Sequence, residues 1–278
     1  MRRTIVAVVV IAIVLVGIIG YAVVGFAYAA ARVSNADKSL NTVVSHQNSL
    51  NSTFKDINTK FSGLNSSNPD LKQTRTLYEQ FVANAKSTGT TVDQDDLSLV
   101  SARAGLRQQP WLTILSRGTL DKESVRIDHA RKALSSAKTI ADDYVQAGQF
   151  FQSSIDVEID LQMLGTQTAN ADLAGSRATL TTMKTHVDKA LQLSVAPGLP
   201  TDLHDLMIDF QALITDFGRV LDAAAGGDAA AINSAEQSVE KDATKIGGYN
   251  LDKIQTAMNA YYQPMIDSYN SELAKATA

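Results

Sequence analysis

The residues best suited to chemistry are the four histidines, His46, His129, His186 and His204, because imidazole acts as a base or a metal ligand near neutral pH. None has Glu or Asp three residues before it, so the Glu-x-x-His pairs of di-iron helix bundles are missing. The His-Glu-x-x-His zinc pattern is also absent. A lone histidine next to an aspartate, as in Asp128-His129 or His204-Asp205, therefore reads as a surface or rim residue. There is no cysteine, which excludes disulfides, thiolate metal sites and thiol nucleophiles.

The carboxylates read the same way. Asp93-Gln94-Asp95-Asp96 resembles the start of a calcium loop, but Ala104 stands where a bidentate Glu is needed. An Asp-rich helix N-terminus accounts for it, since negative charge there favours the macrodipole. Asp156, Glu158 and Asp160 alternate, and residues two apart on a helix do not share a face, so they mark a solvated edge. Asp202, Asp209 and Asp216 recur every seven residues, as on a polar helix face. Ser135-Ser136-Ala137-Lys138 matches the Ser-x-x-Lys of penicillin-recognising enzymes by letter. Ser39-Leu40-Asn41 and Lys86-Ser87-Thr88-Gly89 loosely match the other two motifs of those enzymes, in the wrong order and with no sheet to hold them. No Gly-x-Ser-x-Gly, phosphate loop or Rossmann fingerprint occurs. The expectation is a non-enzymatic chain without catalytic residues, metal or cofactor.

Contact residues are a different matter. Trp111 is the only tryptophan, and it lies in the apolar patch Pro110-Trp111-Leu112-Thr113-Ile114-Leu115, either as a plug into the core or as a partner contact. Gln47 is the one polar member of an otherwise apolar seam that includes Leu50 and Phe54, and such a residue commonly sets register or oligomer state. Trp111, Gln47, Leu50 and Phe54 are the candidate partner or ligand contacts. A solute pocket would instead sit near Trp111, Tyr144 and Gly148, or among Tyr249, Tyr261 and Tyr262.

The first element that must position these residues is an anchor. Residues 4–31 carry no charge and would span about 42 Å as a helix, more than a bilayer core of about 30 Å requires. Arg2 and Arg3 precede the run, so by the positive-inside rule residues 1–3 stay in the cytoplasm and residues 32–278 lie outside. A cleaved signal peptide is the competing reading, with Ala27-Tyr28-Ala29 or Ala29-Ala30-Ala31 as the cleavage site. The run is about twice the ~7–15 residues of a signal core, which favours an uncleaved anchor. Tyr21, Phe26 and Tyr28 suit the outer interface. Setting aside Arg2 and Arg3, 23 Lys and Arg face 29 Asp and Glu, a formal charge of −6, so nothing draws nucleic acid or anionic lipid.

Beyond the anchor every segment reads as helix. Leu40, Val43, Gln47, Leu50, Phe54, Ile57, Phe61 and Leu64 alternate spacings of three and four. With no proline or glycine in between, anchor and seam make one rod of about 90 Å. Asn68 and Pro69 then suit an N-cap and first helical position. Leu71, Thr74, Tyr78, Phe81 and Ala85 form a stripe closed by Gly89, and Leu97, Val100, Ala104 and Arg107 share a face of the next segment. The longest helix runs from Asp121 to about Leu164. Its seam is Ile127, Ala130, Leu134, Ala137, Ala141, Tyr144, Gly148, Phe151 and Ile155, then shifts to Ile159 and Met163. Small residues at 130, 137, 141 and 148 call for a closely packed neighbour.

Four shorter helices follow, separated by Gly165, Pro197-Gly198-Leu199-Pro200, Gly226-Gly227 and Gly247-Gly248. Thr201, Asp228 and Asn250 suit their N-caps, Leu251, Ile254, Met258, Tyr261 and Met265 the core face of the last, and Pro264 a kink. The expected fold is all-α: an N-terminal transmembrane helix, then an elongated antiparallel helical-bundle ectodomain. The expected parts are a cytoplasmic 1–3, an anchor at 4–31, a membrane-proximal bundle of long helices at 32–165 and a four-helix bundle at 166–278. This plan is similar to that of many bacterial single-pass proteins with an external helical domain, helical sensor domains among them. The chain ends at Ala278 without a second span or a cytoplasmic signalling module, which favours a scaffold that engages a protein partner or another copy of itself. The alternative is a solute-binding or sensory bundle acting through a membrane partner.

Overall fold

The computed structural model describes residues 34–62, 70–106 and 117–278. The expected anchor at 4–31, the caps Asn68 and Pro69, and Trp111 lie outside the described residues. The side chain of Phe54 lies outside them as well.

The described residues are all-helical and contain no strand. Seven helices follow one another: α1 Ser34–Ser62, α2 Leu71–Leu106, α3 Arg117–Ala169, α4 Leu173–Leu193, α5 Thr201–Gly226, α6 Ala229–Gly247 and α7 Leu251–Thr277. None of them is long and apolar enough to cross a membrane. The chain forms two compact units, each discontinuous in sequence. The first comprises the described residues of 60–82 and 146–258, and the second those of 34–59, 83–145 and 259–278. The boundary expected near residue 165, by contrast, is sequential.

Capping follows local chemistry. Asp70 Oδ1 accepts from the N–H groups of Lys72 and Gln73 at 3.0 Å, so Asp70 caps α2. Asp228 does the same for α6 through Ala230 and Ala231, and Asn250 for α7 through Lys253 at 2.9 Å. Asp172 caps α4. Thr201 does not cap α5: it is the first helical residue, and Pro200 holds the cap position without a side-chain bond. Gly227 closes α5 at φ 69°, the left-handed geometry that glycine adopts without strain.

Helix α2 overturns two expectations. It does not break at Gly89, and Leu97, Val100 and Ala104 face outward, with Leu97 66% exposed and Val100 40%. The buried face is Leu71, Thr74, Tyr78, Phe81, Ala85, Thr88, Val92, Asp95 and Leu99, with Ala102 and Leu106 partly buried, an unbroken alternation of threes and fours. A helical glycine costs about 1 kcal/mol relative to alanine. Gly89 is buried nonetheless, and a Cβ there would meet Asp142 Oδ1 at 3.4 Å and Lys138 Nζ at 3.6 Å. Because the helix never breaks, its phase carries through Gly89, and the break expected there had reset the phase.

Helix α3 buries the expected stripe from Ile127 to Ile155, with Ala137 half-buried, and a second one besides: Ile140, Asp143, Ala147, Phe150, Ser153, Val157, Asp160 and Leu164. That second stripe replaces the expected shift to Ile159 and Met163, since Met163 is 48% exposed. Gly165 lies within the helix, which runs on to Ala169, and Gly118 is its second residue. Gly148 is the tight spot, where a Cβ would lie 2.6 Å from Val82 Cγ2 and 2.9 Å from Phe81 Cδ1. Nearby, Tyr78 stacks on Phe151 with centroids 5.6 Å apart.

In α7 the expected face is kept at Ile254 and Met258 and then moves to Tyr262, Ile266, Tyr269, Leu273 and Ala276, leaving Tyr261 38% exposed and Met265 half-buried. The helix continues through Pro264, which is exposed.

These packing distances set opposite signs for two glycine substitutions in α3. Gly148→Ala should lower stability by a net ~1–2 kcal/mol, overpacking against Phe81 and Val82 outweighing the gain in helix propensity. Gly165→Ala, with nothing within 4 Å of its Cβ, should raise stability by about 0.5–1 kcal/mol. Urea unfolding of the purified full chain, comparing midpoints at unchanged slope, checks both.

Candidate functional site

The second unit gathers the largest share of the residues singled out in the sequence. Ala36, Leu40 and Val43 of α1 are buried with Val92 and Leu99 of α2, Ile127, Ala130 and Leu134 of α3, and Ala276 of α7. Along the same α1 face, Gln47 enters the core at 5% exposure. Tyr269 Oη donates to Gln47 Oε1 at 3.2 Å, while the Gln47 amide nitrogen is buried with no protein acceptor. Leu50, one turn on, is half-buried. Residues 40–47 of the seam are thus part of this unit's own core.

Next to Gln47 is a recess of about 30 Å³. Its lining includes Gln47 and Leu50 of α1, Thr88 of α2, Ala141 and Tyr144 of α3, and Tyr269 and Asn270 of α7. Tyr144 and Tyr262, both fully buried, meet edge to face with centroids 5.1 Å apart, and Tyr261 meets Tyr262 at 5.0 Å. Tyr261 Oη donates to Asp143 Oδ2 at 3.3 Å. Burial raises the Asp143 carboxyl, and the Tyr261 bond partly offsets that rise. Burial also drives the phenols of Tyr144, Tyr262 and Tyr269 well above their ordinary value, so they remain neutral donors. Of the other sequence candidates, Gly148 belongs to the first unit against Phe81 and Val82, and so does Tyr249.

The polar side chains elsewhere act as braces between helices. In the second unit His46 Nδ1 donates to the buried Asp95 at 2.7 Å, and His129 Nδ1 to Glu272 at 2.7 Å. Bonds from His129 and then Lys275 hold the Glu272 carboxyl down at about 2. Arg126 binds the Ala276 carbonyl at 3.0 Å, and Arg131 makes a two-pronged pair with Asp96. In the first unit His186 Nδ1 donates to the buried Asp160 at 2.7 Å, and Arg75 Nε to Asp156 at 2.5 Å. The 156–160 carboxylates are therefore no solvated edge, because each of these two faces a different helix. Glu158, half-buried between them, is pushed by burial up to about 7.

Asp209 corrects the polar-face reading of the Asp heptad in the same way. It is 5% exposed and accepts from Lys245 Nζ at 2.6 Å and Tyr249 Oη at 2.7 Å. Sequence spacing also missed a serine–histidine contact: Ser194 Oγ lies 2.8 Å from His204 Nδ1. That serine is 2% exposed, caps the end of α4 and donates to the Leu191 carbonyl at 2.7 Å, so the imidazole N–H supports a cap. Lys138, of the Ser-x-x-Lys match, is held by Asp142 at 2.6 Å, which raises its affinity for the proton and denies it a base's role. Among the described residues no three His, Asp or Glu converge as a metal site.

Two measurements test the braces. Tyr249→Phe removes one of the two donors to buried Asp209 and should cost about 1–2 kcal/mol in unfolding free energy. For Glu272 the folded value lies below the ordinary 4.5, so its contribution is complete above pH ~4.5 and disappears as pH falls toward 2. The melting-temperature gap between wild type and Glu272→Gln should accordingly be widest near neutrality and close by about pH 2. No protein-family model, curated protein or solved structure matches this chain, and its sites are read from their geometry.

Proposed function

We propose that this chain is a non-enzymatic helical scaffold, anchored in a membrane by residues 4–31, with residues 1–3 cytoplasmic and residues 32–278 outside. In this reading it engages a protein partner or a second copy of itself. The observation that carries the reading is the outward face of α2, where Leu97, Val100 and Ala104 stand exposed on one side while the opposite side is buried throughout. Soluble surfaces tolerate single exposed apolar residues, but a stripe at helical spacing has the form of a contact. The use of the polar side chains as inter-helix braces supports a structural role in place of a reacting one. Within the seam, Gln47 serves the chain's own core, which moves the expected contact from α1 to α2.

The recess beside Gln47, Leu50 and Tyr144 favours the second reading, a solute-binding bundle. Its volume of about 30 Å³ is an order of magnitude below the ~300–1,000 Å³ of small-molecule sites, which weighs against a solute in this recess.

Photoreactive groups at Leu97, Leu50 and Phe54, introduced into the full chain in native membranes, discriminate the two. The scaffold reading expects adducts from Leu97, at the mass of two chains if the partner is a copy. Failure of Leu97, Leu50 and Phe54 to give any adduct, together with a small molecule that copurifies, would replace the scaffold with the solute binder. Protease added to intact spheroplasts should remove the bulk of the chain. Full protection of its C-terminal half would overturn the orientation.

A further inference from the structure

Three features of the α1 seam meet at one point of the second unit. Gln47 is 95% buried by its 5% exposure, its amide nitrogen has no protein acceptor, and it lines a recess of about 30 Å³. A buried donor left without an acceptor costs roughly 1–3 kcal/mol, so such groups are almost always satisfied, by solvent where protein does not reach. The recess exceeds the ~10–15 Å³ that one water requires and is an order of magnitude below the volume of small-molecule sites.

Size alone does not make a hydration site, because an apolar void of this kind stays dry unless two to four polar partners converge. The lining is mostly apolar, and Gln47, Thr88, Tyr269 and Asn270 are polar side chains in it. Gln47 Nε2 is the donor. Thr88, 7% exposed, already donates its hydroxyl hydrogen to the Asn84 carbonyl at 2.8 Å, which leaves its oxygen free to accept. Tyr269, 6% exposed, donates to Gln47 Oε1 and likewise keeps acceptor capacity on its oxygen. The half-buried Asn270 completes the polar part of the lining.

We propose that this recess is a specific site for one ordered water, which accepts from Gln47 Nε2 and donates to Thr88 Oγ1 and Tyr269 Oη. One hydrogen of the amide then has an acceptor, and both hydrogens of the water are used. The site joins α1, α2 and α7 through a single polar point in an otherwise apolar layer. Sliding α1 by one turn would put an apolar residue opposite Tyr269 and leave the water without its donor. The water thereby serves as a register lock for α1 and α7, in the sense that a lone polar residue sets the register of an apolar seam. This inference is independent of membrane anchoring and of the partner.

A crystal structure of the full chain in detergent at better than about 2 Å, before and after xenon pressurisation, tests it. The expected result is a water peak about 2.7–3.2 Å from Gln47 Nε2 and from Thr88 Oγ1 or Tyr269 Oη, with no xenon in the recess. Xenon in place of water would show a dry cavity and overturn the proposal. So would a Gln47 amide bonded to a protein acceptor with the recess closed. In Gln47→Met the water peak should vanish while circular dichroism stays helical, and persistence of the peak would show that Gln47 does not hold it. If Gln47→Met does not fold, the wild-type pair of structures still decides.

Discussion

Helix α3 has to bury two faces at once, and the packing of every neighbouring helix follows from how it does so. A helix flanked on two sides by large side chains holds its neighbours at the far end of the usual 8–10 Å range. Along the first stripe of α3 the chain places Ala130, Ala137, Ala141 and Gly148 among the larger Ile127, Leu134, Tyr144 and Phe151. The limit is reached at Gly148, where the ring of Phe81 and the methyl of Val82 occupy the space a Cβ would need. With no cysteine in the chain, this interdigitation holds the helices together without disulfide cross-links.

Interdigitated apolar stripes do not by themselves select one register, since a helix displaced by a heptad buries nearly the same surface. The buried polar pairs remove that degeneracy. Asp95 with His46, Asp160 with His186, and Asp209 with Lys245 and Tyr249 each tie a carboxylate that is more than nine-tenths buried to a partner on another helix or just beyond one. Pairs of this kind add little net stability, but removing one member is costly because it leaves a charge buried and alone. Displacement of any of these helices has the same effect, which makes the pairs register marks. In the same way they account for the histidines and carboxylates that looked, as residue types, like the raw material of catalysis.

Two opposite faces of α2 differ in burial. One carries the eleven-residue seam from Leu71 to Leu106, which belongs to the core. The other offers Leu97, Val100 and Ala104 to the outside over about two turns. A helix that is amphipathic in one stripe needs only its buried face to fold, so the outward apolar residues are free of any folding duty.

The sequence by itself determined the helical class, the order and limits of α4 to α7, the caps Asp228 and Asn250, and the α3 seam from Ile127 to Ile155. These depend on local chemistry and on a periodicity dense enough to read. It also marked Gln47, Leu50, Tyr144, Tyr261 and Tyr262, which do come together in one unit, although Trp111 and Phe54 fall outside the described residues. Only the tertiary structure decided the phase of α2. Beyond the stripe from Leu71 to Ala85 its seam continues through Thr88 and Asp95, polar residues that a hydrophobic count assigns to the surface, and Gly89 interrupts the pattern in letters but not in space. The partners of the buried carboxylates were equally beyond the sequence. Asp209 has the same heptad spacing whether it meets solvent or Lys245 and Tyr249, and a separation of thirty-six to forty residues leaves no local trace of the contact. Periodicity along a helix records that a face is buried; what stands against that face depends on which helices pack there.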